Sequence, residues 1–348
     1  MNMSKELKKE SLSKLQIRYA RRHRLGKSRM LDELCEDHHY ERKYAIKLLG
    51  GTVPVARVGP SAGPEPRYGL IEPIVRQMWL ASEQPCGKRL GPILKEWLPY
   101  FERRFGRVSS RQRTLLGQVS AATLDRLLAP ARAEFPGRGR CGTSLAGDFI
   151  WSLTFTDIFT GWTEGRAVWN RGAAGVLAAT QDVEEGLPFV LRGFDCDNGG
   201  EFLNHHLWRY LARRKTPVEF TRSRPYHSDD NAHVEQKNWM WPRQLLGYSR
   251  LEDPALVARI YATYKEVWGP LHNFFLPCFK LKRKWREGSH WRKRYERPRT
   301  AYARLCTGSL LSRQQRRQLR ERHASLDPFV LKDELEKRLK QILHPKPS

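Results

Sequence analysis

Several things are scarce in this chain, and each absence removes a class of protein. No apolar run is long enough to cross a bilayer, and the lysine-rich amino-terminal stretch has no apolar signal core, so membrane and secreted proteins are not expected. Six cysteines (Cys35, Cys86, Cys141, Cys196, Cys278 and Cys306) are scattered without a Cys-x-x-Cys pair. That excludes a zinc ribbon and a disulfide framework and fits a reducing compartment. Acids are also short: 37 Asp and Glu stand against 63 Lys and Arg in 348 residues, a formal charge of +26. An excess of this size, spread over several segments, points to a polyanionic partner, nucleic acid first, and to a cytoplasmic, nucleoid-associated location.

What is present falls into segments. Residues 5–25 are densely basic, and 27–49 carry two helical patterns, Met30, Leu31 and Leu34, then Ala45, Ile46, Leu48 and Leu49. His38-His39 breaks them apart, so 1–50 predicts a helix-turn-helix-like module whose second helix offers Arg42, Lys43 and Lys47 to a DNA groove. Residues 51–67 are rich in Gly and Pro and predict a linker. A second helical module is expected over 68–133, from Ile71, Ile74, Val75, Met78 and Trp79, then Leu90, Ile93, Leu94, Trp97 and Leu98, with Ser120 as a helix N-cap.

From 149 the pattern changes. Residues 149–156, 162–168, 187–191 and 218–221 predict strands, with helices over 171–185 and 202–214. The apolar run 187–191 leads into Asp195-Cys196-Asp197-Asn198-Gly199-Gly200-Glu201-Phe202, turn chemistry at a strand end. Glu235 follows in a helical segment entered through Ser228-Asp229-Asp230-Asn231. Two carboxylates from separate elements in a basic protein suit a divalent-cation site for phosphodiester chemistry.

The stretches at 195–202, at 221–239 (TRSRPYHSDDNAHVEQKNW) and at 144–164 (SLAGDFIWSLTFTDIFTGWTE) resemble the integrase-core transposases of bacterial insertion sequences. The resemblance implies an α/β, RNase H-like core over 140–305 with a mixed five-stranded sheet, and basic residues at its carboxyl end. It implies metal-dependent cleavage and strand transfer at the ends of a mobile element, Mg²⁺ or Mn²⁺ as cofactor, double-stranded DNA as partner and a homo-oligomer. Asp197 becomes the second and Glu235 the third member of an Asp-Asp-Glu triad, and both become metal ligands.

The first member is missing. Upstream of Cys141-Gly142-Thr143-Ser144-Leu145-Ala146-Gly147, Pro136 falls where similar proteins carry the acid, among residues ill suited to a central strand. Asp157, at the end of the neighbouring strand, is the substitute ranked first, although a turn cap is the plainer role for it; Asp148 and Asp195 rank below. Impaired activity is therefore expected, and a DNA-binding regulator without catalysis is the alternative.

Arg222, Arg224 and Lys237 surround the third acid as DNA-contact candidates. Trp239 and Trp241 suit stacking or core. Farther on, Lys282, Arg283 and Lys284, then Arg292, Lys293 and Arg294, alternate with aromatic residues, a composition suited to phosphate neutralisation and stacking. Residues 306–348 predict a charged helical tail, with Leu331, Leu335, Leu339 and Leu343 on one stripe, for packing or dimerisation.

Overall fold

A computed structural model describes residues 14–38, 40–50, 67–134, 148–170, 172–196, 205–224, 237–247 and 250–344. The chain divides into two compact units, Met1–Pro66 and Arg67–Ser348. Among the described residues no helix is long and apolar enough to cross a membrane.

In the first unit a helix over 14–20 (α1) precedes α2, Arg24–His38, and α3, Arg42–Leu49. Met30, Leu31 and Leu34 of α2 bury against Ala45 and Leu49 of α3. Ile46 does not join them; it is exposed beside Lys43, Tyr44 and Lys47, because Ala45 and Leu49, four apart, already define the inward face. The predicted linker 51–67 lies outside the described residues apart from Arg67.

The second unit is helix-rich with small sheets. It opens with α4 (Glu72–Ala81), α5 (Gly87–Phe105), α6 (Ser110–Gln118), α7 (Ala121–Leu127) and α8 (Ala129–Glu134). On α5, Leu90, Ile93, Leu94, Trp97, Leu98 and Phe101 form one buried stripe, the i, i+3, i+4, i+7 spacing of an amphipathic helix. Ser109 caps α6 through a reciprocal bond with Gln112, and the Ser120 hydroxyl accepts from the Thr123 amide at 3.2 Å to start α7.

These helices do not stand apart as a module. They share one apolar core with α12 (Leu256–Ala262) and its continuation through two wide turns, Thr263–Trp268 and Leu271–Phe275, and with α13 (Ala301–Thr307), α14 (Arg313–Ser325) and α15 (Pro328–Leu343). Trp97 packs edge-on to Phe275 and Phe329, which joins the two ends of the unit. Leu331 and Leu335 of the tail are buried in that core, and Leu339 and Leu343 pack on it.

Between these helical ends lie the strands. β1 (Ile150–Thr156) pairs antiparallel with β2 (Thr163–Trp169), followed by α9 (Ala173–Gly186), β3 (Gly193–Cys196), α10 (His205–Ala212) and β4 (Glu219–Arg222), which pairs parallel with β3. A third pair, β5 (Leu281–Glu287) with β6 (His290–Tyr295), comes after α11 (237–246) and α12. The described residues thus carry three two-stranded sheets, and the expected five-stranded sheet is not among them. The strand expected at 187–191 is a bend, with the strand shifted to 193–196. Pro188 has no amide proton for a ladder, and Leu187 and Phe189 turn onto the helical core while Val190 faces solvent.

A buried ionic cluster ties β2 to the helices. Arg166, only 1% exposed, donates to Asp182 at 2.6 Å and to Glu164 at 3.1 Å, and its guanidinium lies over Tyr261. Behind it Gly165 is obligatory: a Cβ there would stand 2.6 Å from the Trp241 ring. Trp241 is fully buried, so core is its role; the side chain of Trp239 is outside the described residues.

Candidate nucleic-acid interface

In the second unit a cleft of about 1030 Å³ opens beside the β1–β2 turn. Its walls come from the start of α5, the turn Asp157–Gly161, the segment 278–281 and the base of the β5–β6 pair. Eight of its lining side chains are cationic (Lys88, Arg89, Lys237, Lys280, Lys293, Arg294, Arg297 and Arg304), against two acids, Asp157 and Glu296. An excess of this kind, held by separate elements, focuses positive potential in one place.

The turn is built by its first residue. Asp157 Oδ2 accepts from the Thr160 amide at 2.7 Å and from the Thr160 hydroxyl, and the Gly161 amide closes onto the Asp157 carbonyl at 2.8 Å. Gly161 has φ of +78°, which a side chain would oppose. Asp157 therefore occupies the capping role, with one carboxylate oxygen committed to its own turn.

At the floor lies Lys237. It is 6% exposed, and its Nζ donates to His272 Nε2 at 3.1 Å. Among the described residues no carboxylate pairs with it. Burial lowers its pKa to about 8, with Arg89 and Arg304 adding to the drop and Cys278 opposing it. Burial, then Lys237 and Arg89, also hold His272 well below the ordinary imidazole value, so its ring is neutral and accepts from the ammonium. Lys237 is thus a buried cation that lines the cleft, not a residue of an open helix face.

Arg304 is held still. Its Nη1 donates to the Thr160 carbonyl at 3.1 Å and its Nη2 to the Cys278 carbonyl at 2.9 Å, while Nε lies 3.6 Å from Glu296. Arg89 Nε donates to the Pro277 carbonyl at 2.7 Å, and burial lowers its pKa. Neither arginine stands out in the sequence. Arg304 does fall between Ala301 and Leu305, on the buried side of α13, where a charge needs partners; Arg89 gives no comparable sign.

The other expected residues divide by place. Lys282, Arg283, Lys284, Arg292, Lys293 and Arg294 all lie on the exposed β5–β6 pair. Arg222 and Arg224 are exposed at the end of β4. On α3 of the first unit Lys43 and Lys47 are exposed, whereas Arg42 is engaged with Asp32 and with Ser28 at 2.7 Å. Asp195 is exposed and accepts from the Thr221 hydroxyl at 2.7 Å; Asp148 accepts from Asn170 at 2.9 Å. Asp197 and Glu235 lie outside the described residues. Among the described residues no group of three His, Cys, Asp or Glu side chains is placed to hold a metal ion.

The fold and this site define a mixed helix-rich protein with a cationic cleft and an exposed basic strand pair. No family model matches the chain. It is 36% identical to the uncharacterized protein y4rM of Sinorhizobium fredii, across 81% of this chain and 90% of that one, and it belongs to the same family.

Proposed function

We propose that this chain is a DNA-binding protein of the integrase-core transposase type, acting on the ends of a mobile element with impaired phosphodiester chemistry. The observation that carries the DNA partner is the cleft, whose eight cations face two acids. The order of β1, β2, α9, β3, α10 and β4 is compatible with an RNase H-like core. Asp197, directly after β3, and Glu235, just before α11, are the two acids the resemblance assigns to Mg²⁺ or Mn²⁺, which would supply charge neutralisation at the phosphodiester. Asp157, ranked first to stand in for the missing acid, has one carboxylate oxygen committed to its own turn. That favours weak catalysis, and it is also what supports the second reading, a DNA-binding regulator without catalysis.

The test uses the full chain, duplex fragments from either side of its coding region, and Mg²⁺ or Mn²⁺. Binding with slow cleavage and joining, lost in Asp197→Asn and Glu235→Gln, is the expected result. Binding without cleavage decides for the regulator, and cutting without joining decides for a nuclease. No binding to duplex DNA overturns all three.

A further inference from the structure

The β5–β6 pair departs from ordinary strand behaviour. All its residues are exposed, and at its base Tyr295 meets Phe279 edge-on. A two-stranded ribbon standing alone is marginal in water. Here it also sets Arg283 opposite Arg294 and Lys284 opposite Lys293, adjacent like-charged rungs that oppose pairing. An element with these defects is suited to a polyanion that neutralises the rungs.

The register separates the ribbon into two unlike faces, since directly opposed residues share a face and neighbours along a strand alternate. One face carries Arg283, Trp285, Glu287, His290, Arg292 and Arg294; there Arg292 is ion-paired with Glu287 at 2.8 Å. The other carries Lys284, Arg286, Trp291, Lys293 and Tyr295 with no acid, and Lys284 Nζ lies 4.7 Å above the Trp291 ring. Of the ribbon residues that line the cleft, Leu281, Lys293 and Tyr295 belong to this second face and Arg294 to the first. The acid-free face therefore runs on from the cleft.

We propose that the ribbon is an arm for duplex DNA, docking in a groove through the face of Lys284, Arg286, Trp291, Lys293 and Tyr295. The major groove of duplex DNA is wide enough for a two-stranded ribbon. The assignment rests on the DNA partner proposed above and adds the surface and the face that meet it. Phosphates alongside the ribbon answer Lys284 and Lys293, and Trp291, 59% exposed, has an open edge for a base or sugar.

Two variants of equal charge separate docking from bulk attraction. The first replaces two cations of the acid-free face (Lys284→Gln, Arg286→Gln) and the second two of the other face (Arg283→Gln, Arg292→Gln), with the cleft-lining Lys293 and Arg294 left in place in both. Binding of the full chain to a short duplex is followed by fluorescence anisotropy over a salt series, with circular dichroism to confirm folding. The first variant is expected to lose about tenfold or more in affinity and to flatten the salt dependence by about 2 in slope; the second is expected to stay within about threefold of the parent. Equal losses, or no loss in either, overturn the docking face while leaving the DNA reading standing. A preference of the parent for a single strand over the duplex overturns the groove assignment. Failure of the parent to bind any DNA removes the partner itself.

Discussion

Asn273 holds the backbone of Thr163 as a neighbouring strand would: its Oδ1 accepts from the Thr163 amide at 2.8 Å and its Nδ2 donates to the Thr163 carbonyl at 2.8 Å. Both residues are buried. The contact fastens the first residue of β2 to the wide turn Leu271–Phe275, and so fixes the strand that leaves the cleft-side turn. Asn273→Leu leaves a buried donor and acceptor without partners, at about 1–3 kcal/mol each. The expected loss is therefore about 2–5 kcal/mol in urea unfolding, with duplex binding weakened through the displaced turn. A loss under about 1 kcal/mol would show that the pairing does not hold the strand.

Next to it, His272 is the only described partner of the buried ammonium of Lys237. His272→Ala removes that acceptor and opens a cavity, and is expected to cost about 2–5 kcal/mol. Replacing both groups with apolar side chains of similar volume, Lys237→Met with His272→Leu, takes away the desolvation penalty together with the bond, so stability is expected within about 1 kcal/mol of the parent. Equal destabilisation in the single and double variants would contradict this pairing.

The ionic groups around β2 and α9 predict the response to acid. Burial pushes the Asp182 carboxyl up, but bonds from Lys265, Tyr261 and Arg166 outweigh it and hold the group below the usual range. The Arg214 guanidinium, against the opposing effect of burial and with help from Tyr210, does the same for Glu184. Both acids thus bind protons more readily in the unfolded chain. Their contribution is complete above the ordinary carboxylate values near 4 and is lost as pH falls through the folded values. Melting temperature is expected to drop below about pH 4.5, and Arg166→Met, which leaves Glu164 and Asp182 short of a partner, is expected to cost about 3–5 kcal/mol at neutral pH. A melting temperature flat down to pH 3 would contradict the sign.

The helical parts were legible because periodicity alone specifies an amphipathic helix. Ile71, Ile74, Val75, Met78 and Trp79, and the stripe from Leu90 to Leu98, are all buried. What periodicity does not give is which stripe meets which, so the helices of 68–133 read as a separate module although they close on the Leu271–Phe275 turn and α15. The strand at 187–191 misled because a short apolar run fits a strand and a core-facing bend equally, and Pro188 was the residue that separated them. Asp157 as a turn cap followed from its place at a strand end. Arg304, and the burial of Lys237, escaped because charge suggests exposure, while both depend on His272, Cys278 and Thr160, each far away in sequence. The exposed basic ribbon was legible as composition but not as a two-faced object, since the faces follow from a register that includes an irregularity between Leu281 and Arg283.

Salt-dependent binding of the full chain to duplex DNA tests the central claim most directly. With eight cations lining the cleft and a ribbon of further ones beside it, at least six phosphate contacts are expected, and the logarithm of affinity should fall against the logarithm of salt with a slope of about −5 or steeper. A slope near zero, or no measurable affinity at low salt, would contradict the account.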